Sequence, residues 1–157
     1  GECCRETDTD TNLVMLYPPE RAELCTATGR EAEEFSEPYP EKVVMPGGGC
    51  VRFERCIRRR EGVCLFLDGN RCQVYASRPW ICRTYPFMLS GEDLIVFPCR
   101  GIGGTLSEGE AWEIAGFLLA RMLAEKEEEE RVRTLLSSHR IPAGAEVLID
   151  GTGMRIL

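Results

Sequence analysis

Apolar positions come in short bursts through the first two thirds of the chain and settle into a helical rhythm only after residue 106. Leu13 to Tyr17 reads as a brief strand. Pro18-Pro19 then opens PERAELCTATG, a helix with proline in its first turn, Cys25 within it and Gly29 as its stop. Residues 30–49 are rich in Glu, Pro and Gly and end in PGGG, so they are expected to form a mobile connection or an entry loop. Val51 to Ile57 alternates weakly, as a strand does. Val63 to Leu67 and Arg71 to Tyr75 flank Asp68-Gly69-Asn70, the clearest hairpin signal in the chain.

Further on, Ser77 is expected to cap a short helical turn that starts at Arg78-Pro79 and presents Cys82. Leu94 to Phe97 reads as a strand that delivers Cys99, and glycines 101, 103 and 104 form a loop. Ser107 and Glu110 make a capping box for a long amphipathic helix. Its stripe of Trp112, Ile114, Ala115, Leu118, Met122 and Leu123 is expected to pack into a core. Glu127 to Glu130 would be its solvated side, or a break in it. Val132, Leu135 and Leu136 restore the apolar face, and Glu146 to Ile149 with Met154 to Leu157 flank Asp-Gly-Thr-Gly as a closing hairpin.

The chain of 157 residues fits a single domain, 1–157, divisible into a cysteine-rich region, 1–105, and a helix with closing hairpin, 106–157. Such a domain can bury a core without cross-links, so its nine cysteines need another explanation. Their odd number and the lack of a hydrophobic signal segment at Gly1 count against a disulfide framework. A net charge of −7 makes a nucleic-acid partner improbable, and no apolar run reaches membrane-spanning length. The expected location is the cytoplasm.

Cys64, Cys72, Cys82 and Cys99 are the densest chemistry in the chain, with adjacent Cys3 and Cys4 as further candidate ligands. Gathered thiolates repel one another unless a cation lies between them, so this set points to a metal or an iron–sulfur cluster. No CxxC occurs, so the usual spacing of structural zinc sites is missing, while the spacing does not identify iron either. Cys50 and Cys56 could be ligands or small core residues; Cys25, on a helix, reads as buried. Arg78, Arg83 and Arg100 flank the cysteines and can offset thiolate charge from behind the ligands, with Tyr75 at the edge of the site. Arg52, Arg55, Arg58, Arg59 and Arg60 form a basic cluster that reads as a solvated face paired with Glu54 and Glu61. His139 reads as a residue at a helix end.

The order of these pieces carries a resemblance. Cys3-Cys4, Cys64-Leu65-Phe66-Leu67-Asp68, then Cys72, Tyr75, Arg78-Pro79, Cys82-Arg83, Tyr85-Pro86-Phe87 and a final Cys99 resemble the CxxCxxCC, or YkgJ-like, family of zinc- or iron-chelating domains. The resemblance covers roughly residues 1–105. The family pattern opens with CxxCGxCC, whereas this chain starts at the glycine of that string, so either it is a fragment or it manages with fewer ligands.

The resemblance implies a chelated metal and, through relatives described as flagellin lysine-N-methylases, a link to protein methylation. GIGG at Gly101 to Gly104 lacks an acidic partner for a nucleotide pocket and reads as a loop. The expectation is a small α+β metal-binding domain with short β-hairpins and one long C-terminal amphipathic helix. Its metal would sit on Cys3, Cys4, Cys64, Cys72, Cys82 and Cys99, as a [4Fe–4S] cluster in preference to zinc. A metal-dependent enzyme acting on a protein side chain and a structural zinc module are the alternatives.

Overall fold

The computed structural model describes residues 1–6, 12–99 and 102–157; Arg100 and Gly101, which the sequence reading placed beside the cysteines and in the glycine loop, lie outside them. It is an α+β fold of short strands and helices with one long helix near its end.

After a single 3-10 turn at Glu2–Cys4 come β1 (Met15–Leu16) and α1 (Pro18–Thr28). Proline loses nothing in the first turn of α1, where backbone N–H groups have no helical partner. Gly29 ends the helix in the left-handed conformation, φ 67°, and its N–H donates to the Cys25 carbonyl. The segment expected to be a mobile loop is built instead. It holds α2 (Ala32–Phe35), β2 (Ser36–Pro38) and β3 (Val43–Val44), and Phe35 is fully buried. That single aromatic anchor is hidden among acidic residues and escapes a reading based on composition.

The predicted strand at 51–57 is two strands, β4 (Cys50–Phe53) and β5 (Arg55–Ile57), separated by Glu54 with φ 62°. The bend sends them to different sheets. β5 lies between β1 and β2, while β4 lies between β3 and a late strand. β6 (Arg59–Arg60) pairs with β7 (Val63–Cys64), and β8 (Leu67–Asp68) with β9 (Arg71–Cys72). The turn at Gly69-Asn70 is therefore where the sequence put it, but its strands are shorter, and Cys64 belongs to the preceding hairpin.

A second 3-10 turn over Tyr75–Ser77 leads to α3 (Trp80–Thr84). Pro79, not Ser77, stands at the start of α3. β10 (Phe87–Ser90) and β11 (Asp93–Val96) form a hairpin, and α4 (Glu108–Ser138) runs unbroken through the acidic segment from the capping box at Ser107. β12 (Glu146–Asp150) and β13 (Gly153–Ile156) close the chain as the predicted hairpin.

The sheet order β13-β12-β4-β3 joins that hairpin in parallel to β4, with Glu146 opposite Cys50 and Ile149 opposite Phe53. One core forms around Leu16, Leu24, Phe35, Ile57 and Phe66; Cys4, Cys25, Cys72 and Cys82 pack on it. A smaller core joins Val51, Ile141, Val147 and Ile149 to Val132, Leu135 and Leu136 of α4. The forward half of α4 departs from expectation. Leu118 is buried, whereas Trp112 is 72 % and Leu123 58 % exposed, because periodicity defines a stripe but not how wide a partner covers it. Glu128, in the supposedly solvated acidic run, is only 3 % exposed. No helix among the described residues is long and apolar enough to cross a membrane.

Candidate metal centre

The first cysteines are held by the chain itself. Arg5 forms a bridge with Val63, the Glu6 N–H donates to the Gly62 carbonyl at 2.7 Å, and Arg5 reaches the Gly69 carbonyl at 2.9 Å. This ties Cys3 and Cys4 to the hairpins carrying Cys64 and Cys72. Cys82 comes from the other side on α3, whose start is anchored by Glu20. One carboxylate oxygen of Glu20 accepts the Trp80 N–H at 2.7 Å, and the other accepts the Tyr17 N–H at 3.0 Å.

The result is a cavity of about 420 Å³ walled by Cys3, Cys4, Cys64, Cys72 and Cys82, with Phe66 and Val74 among its apolar lining. Five of the six predicted ligands thus meet at one place. Cys99 is not among the residues that line it; it follows Pro98, whose carbonyl accepts the Tyr85 hydroxyl at 2.9 Å. Cys25, Cys50 and Cys56 lie outside the lining as well. Cys56 is completely buried in β5, and Cys25 is half-buried against the larger core.

The thiols interact. Cys3 hydrogen-bonds to Cys4, and this bond, followed by burial, pushes the Cys3 thiol far up. Cys4 is pulled down by Cys3, but its own bond to Cys64, burial and the negative fields of Cys64 and Cys72 leave it raised. Cys64 receives the bond from Cys4 and the N–H of Phe66, which hold its thiol below the ordinary range despite burial. Burial, then the fields of Cys4, Cys3 and Cys72, pushes Cys82 up to about 12. Cys64, its thiol held down, thus stands beside Cys3, Cys4 and Cys82, whose thiols are held up, an electrostatic state a bound cation would relieve. Among the described residues no group of three or more His, Cys, Asp or Glu side chains is arranged to hold a metal ion. The donor chemistry, five thiols on one cavity, fits a thiophilic metal.

Arg71 and Arg78 line the same cavity and supply positive charge beside the sulfurs. The Arg78 guanidinium lies 3.6 Å from the Tyr75 ring centre and donates to the Tyr75 carbonyl at 3.0 Å. Arg83 stands one layer back. It donates to the carbonyls of Arg78 and Ala76 at 2.5 and 3.1 Å, pairs with Glu23 at 3.2 Å, and covers the Phe117 ring at 5.3 Å. These contacts make Arg83 a brace for the segment entering α3.

Arg52, Arg55, Arg58 and Arg59 of the basic cluster clamp neighbouring chain rather than pairing with Glu54 and Glu61, while Arg58 and Arg60 remain exposed as expected of a solvated face. Arg55 is buried against Ser36, Arg52 binds Glu146 and the Tyr39 carbonyl, Arg58 binds the carbonyls of Glu33 and Ser36, and Arg59 binds those of Gly62 and Asn12. Strand-end carbonyls want donors, and arginine reaches several at once. His139 ends α4, as expected, with Nδ1 3.0 Å from the Leu135 carbonyl.

Residues the sequence reading passed over complete the picture. Glu20 fixes α3; its position three residues beyond Tyr17, in the first turn of α1, is a capping signal that could have been noticed. Arg121 interrupts the apolar stripe of α4 and is mostly enclosed. Glu54, Glu128, Asp150 and Arg21 form a buried ionisable group, with Arg21 and Asp150 2.7 Å apart.

Residues 1–112 match the family model described as CxxCxxCC, putative zinc- or iron-chelating domain. No solved structure matches the chain.

Proposed function

The chain belongs to the CxxCxxCC family of zinc- or iron-chelating domains, and on that premise we propose that its five-thiol cavity is a metal centre and that the resident group is an iron–sulfur cluster. The observation that carries this reading is the convergence of Cys3, Cys4, Cys64, Cys72 and Cys82 on one cavity from four separate pieces of chain. The absence of CxxC pairs, the usual ligand spacing of structural zinc sites, favours a cluster, in which each iron takes its own cysteine. Cys4, Cys64, Cys72 and Cys82, which also pack on the larger core, are the proposed ligands. Cys3 and Cys99 are proposed as additional ones, with Arg78 and Tyr75 supporting the site from its edge and Arg83 from behind.

When bound, such a group supplies electron transfer or an electrophilic centre, according to whether its coordination is closed or open. The chain's own residues supply the enclosure and countercharge. Anaerobic purification, metal analysis and a visible absorption spectrum test the reading. Iron with matching inorganic sulfide and a broad visible absorption is the expected result. A colourless protein with stoichiometric zinc and no iron would overturn the cluster and leave a structural zinc module; metal content unchanged in Cys82→Ser would overturn the ligand set.

A further inference from the structure

Arg71 and Arg78 are the charged side chains that line the thiol cavity among the described residues, and no aspartate or glutamate lines it with them. Neither forms an ion pair among those residues. The contrast with their neighbours is plain, since Arg83 in the layer behind has Glu23 at 3.2 Å and Arg52 has Glu146 at 2.5 Å. The cavity wall therefore holds positive charge that the chain does not balance.

Arg78 is arranged to use that charge. Its Nε donates to the Tyr75 carbonyl at 3.0 Å, and its guanidinium lies 3.6 Å from the centre of the Tyr75 ring. The two terminal nitrogens have no hydrogen-bond partner among the described residues, and neither is a buried atom, so water already reaches them. Arg71, on β9, is exposed, and so is Tyr75 at 63 %, which marks the side on which the cavity opens to solvent. Asn70 adds an amide donor to the same lining.

The rest of the wall near these groups is apolar, with Leu67 and Val74 among it. A compact, strongly hydrated phosphate would leave that surface bare. A carbon skeleton with a carboxylate at more than one end suits it, because each guanidinium fork takes a carboxylate in two parallel hydrogen bonds while the skeleton covers the apolar part. The volume of about 420 Å³ is that of a small-molecule site.

We propose that the mouth of the thiol cavity binds a small polycarboxylate, its carboxylates on Arg71 and Arg78 and its carbon skeleton against Leu67 and Val74. Such an anion also chelates metals through oxygen. Seated there, it would bring its metal into the cavity that the thiols wall, and sulfur, the softer donor, would displace oxygen on zinc or iron as the thiols release their protons to solvent. The delivery step rests on the thiol cavity being a metal centre; the anion site does not.

Citrate, inorganic phosphate and the trimethyl ester of citrate are titrated by calorimetry into the metal-free chain, kept reduced with dithiothreitol. Two charge-assisted pairs support citrate binding at about millimolar concentration or tighter. Phosphate should bind about tenfold more weakly or worse, and the uncharged ester should not bind. Arg71→Met and Arg78→Met should each weaken citrate by about tenfold. Arg78→Lys, which keeps the charge, should recover part of that loss. Arg30→Met, which removes an exposed arginine that does not line the cavity, should change nothing. Zinc offered as its citrate complex should load the parent about tenfold faster than Arg71→Met, with equal final zinc content. Absence of citrate binding, citrate no tighter than phosphate or the ester, or an equal loss in Arg30→Met and Arg71→Met would each overturn the anion site, and equal loading rates would overturn delivery. Citrate binding in a chain that takes up no metal would instead uphold the anion site and overturn the metal centre.

Discussion

Glu20 and Trp80 are sixty residues apart in the chain and joined by a 2.7 Å hydrogen bond from the Trp80 backbone to the Glu20 carboxylate. Through it the first long helix sets where α3 begins, and α3 carries Cys82. Replacing Glu20 with alanine leaves two backbone donors, those of Tyr17 and Trp80, without their acceptor. A loss of about 1–3 kcal/mol in stability is expected. Metal binding should weaken with it, since Cys82 is no longer fixed. Chemical denaturation and a metal-competition titration check the two effects; retained affinity in a destabilised chain would separate α3 from the site.

Metal uptake should release protons. Cys82 and Cys3 sit well above the ordinary thiol range while thiolates are the ligands, so loading is expected to strengthen as pH rises from 6 to 8, by about tenfold or more. Proton release measured in two buffers of different ionisation enthalpy gives the count. A pH-independent affinity would exclude these thiols from the ligand set.

Glu54 makes a prediction of the opposite sign for the folded chain. It is buried beside Glu128 and Asp150, and burial first, then the hydrogen bond with Glu128, pushes it up to about 9 from 4.5. Between those values the folded chain keeps a proton that the unfolded chain has released. The stabilising contribution is therefore complete below pH 4.5 and is lost as pH rises through about 9. Glu54→Gln mimics the protonated form and should be more stable than the parent at pH 8, by on the order of 2 kcal/mol. Thermal melts from pH 5 to 9 should be flatter for the variant.

Gly49 touches the segment entering β12. A Cβ there would stand 2.7 Å from the Pro142 carbonyl oxygen and 2.5 Å from a methyl of Ile141. Gly49→Ala is expected to cost about 1–3 kcal/mol by forcing β3 and β4 away from β12. An urea midpoint equal to the parent's would contradict the tight approach.

Local signals were readable and distant ones were not. The capping box at Ser107, the proline start and glycine stop of α1 and the Asp-Gly-Thr-Gly hairpin each rest on a few neighbouring residues, and each element is present. The parallel contact of β12 with β4 depends on residues far apart in the chain, for which periodicity carries no signal. The cysteines were recognisable by type, and their gathering on one cavity needed the bridge between Arg5 and Val63 and the anchor at Glu20. Charge patterning places arginines at the surface because it does not reveal which backbone carbonyls need a donor; Arg55, buried against Ser36, is the clearest exception.

The junction of β4 with β12 has a consequence for biosynthesis. Arg52 and its partner Glu146 are separated by 94 positions, so one edge of β4 emerges from the ribosome well before the strand that will cover it has been made. Until then, that edge offers unpaired backbone groups to any extended chain nearby. β3 covers only the other edge of β4, so the charge of the arginines around β4 is what reduces that hazard while translation continues, and the nascent chain is most vulnerable to aggregation over the interval in which α4 is being synthesised.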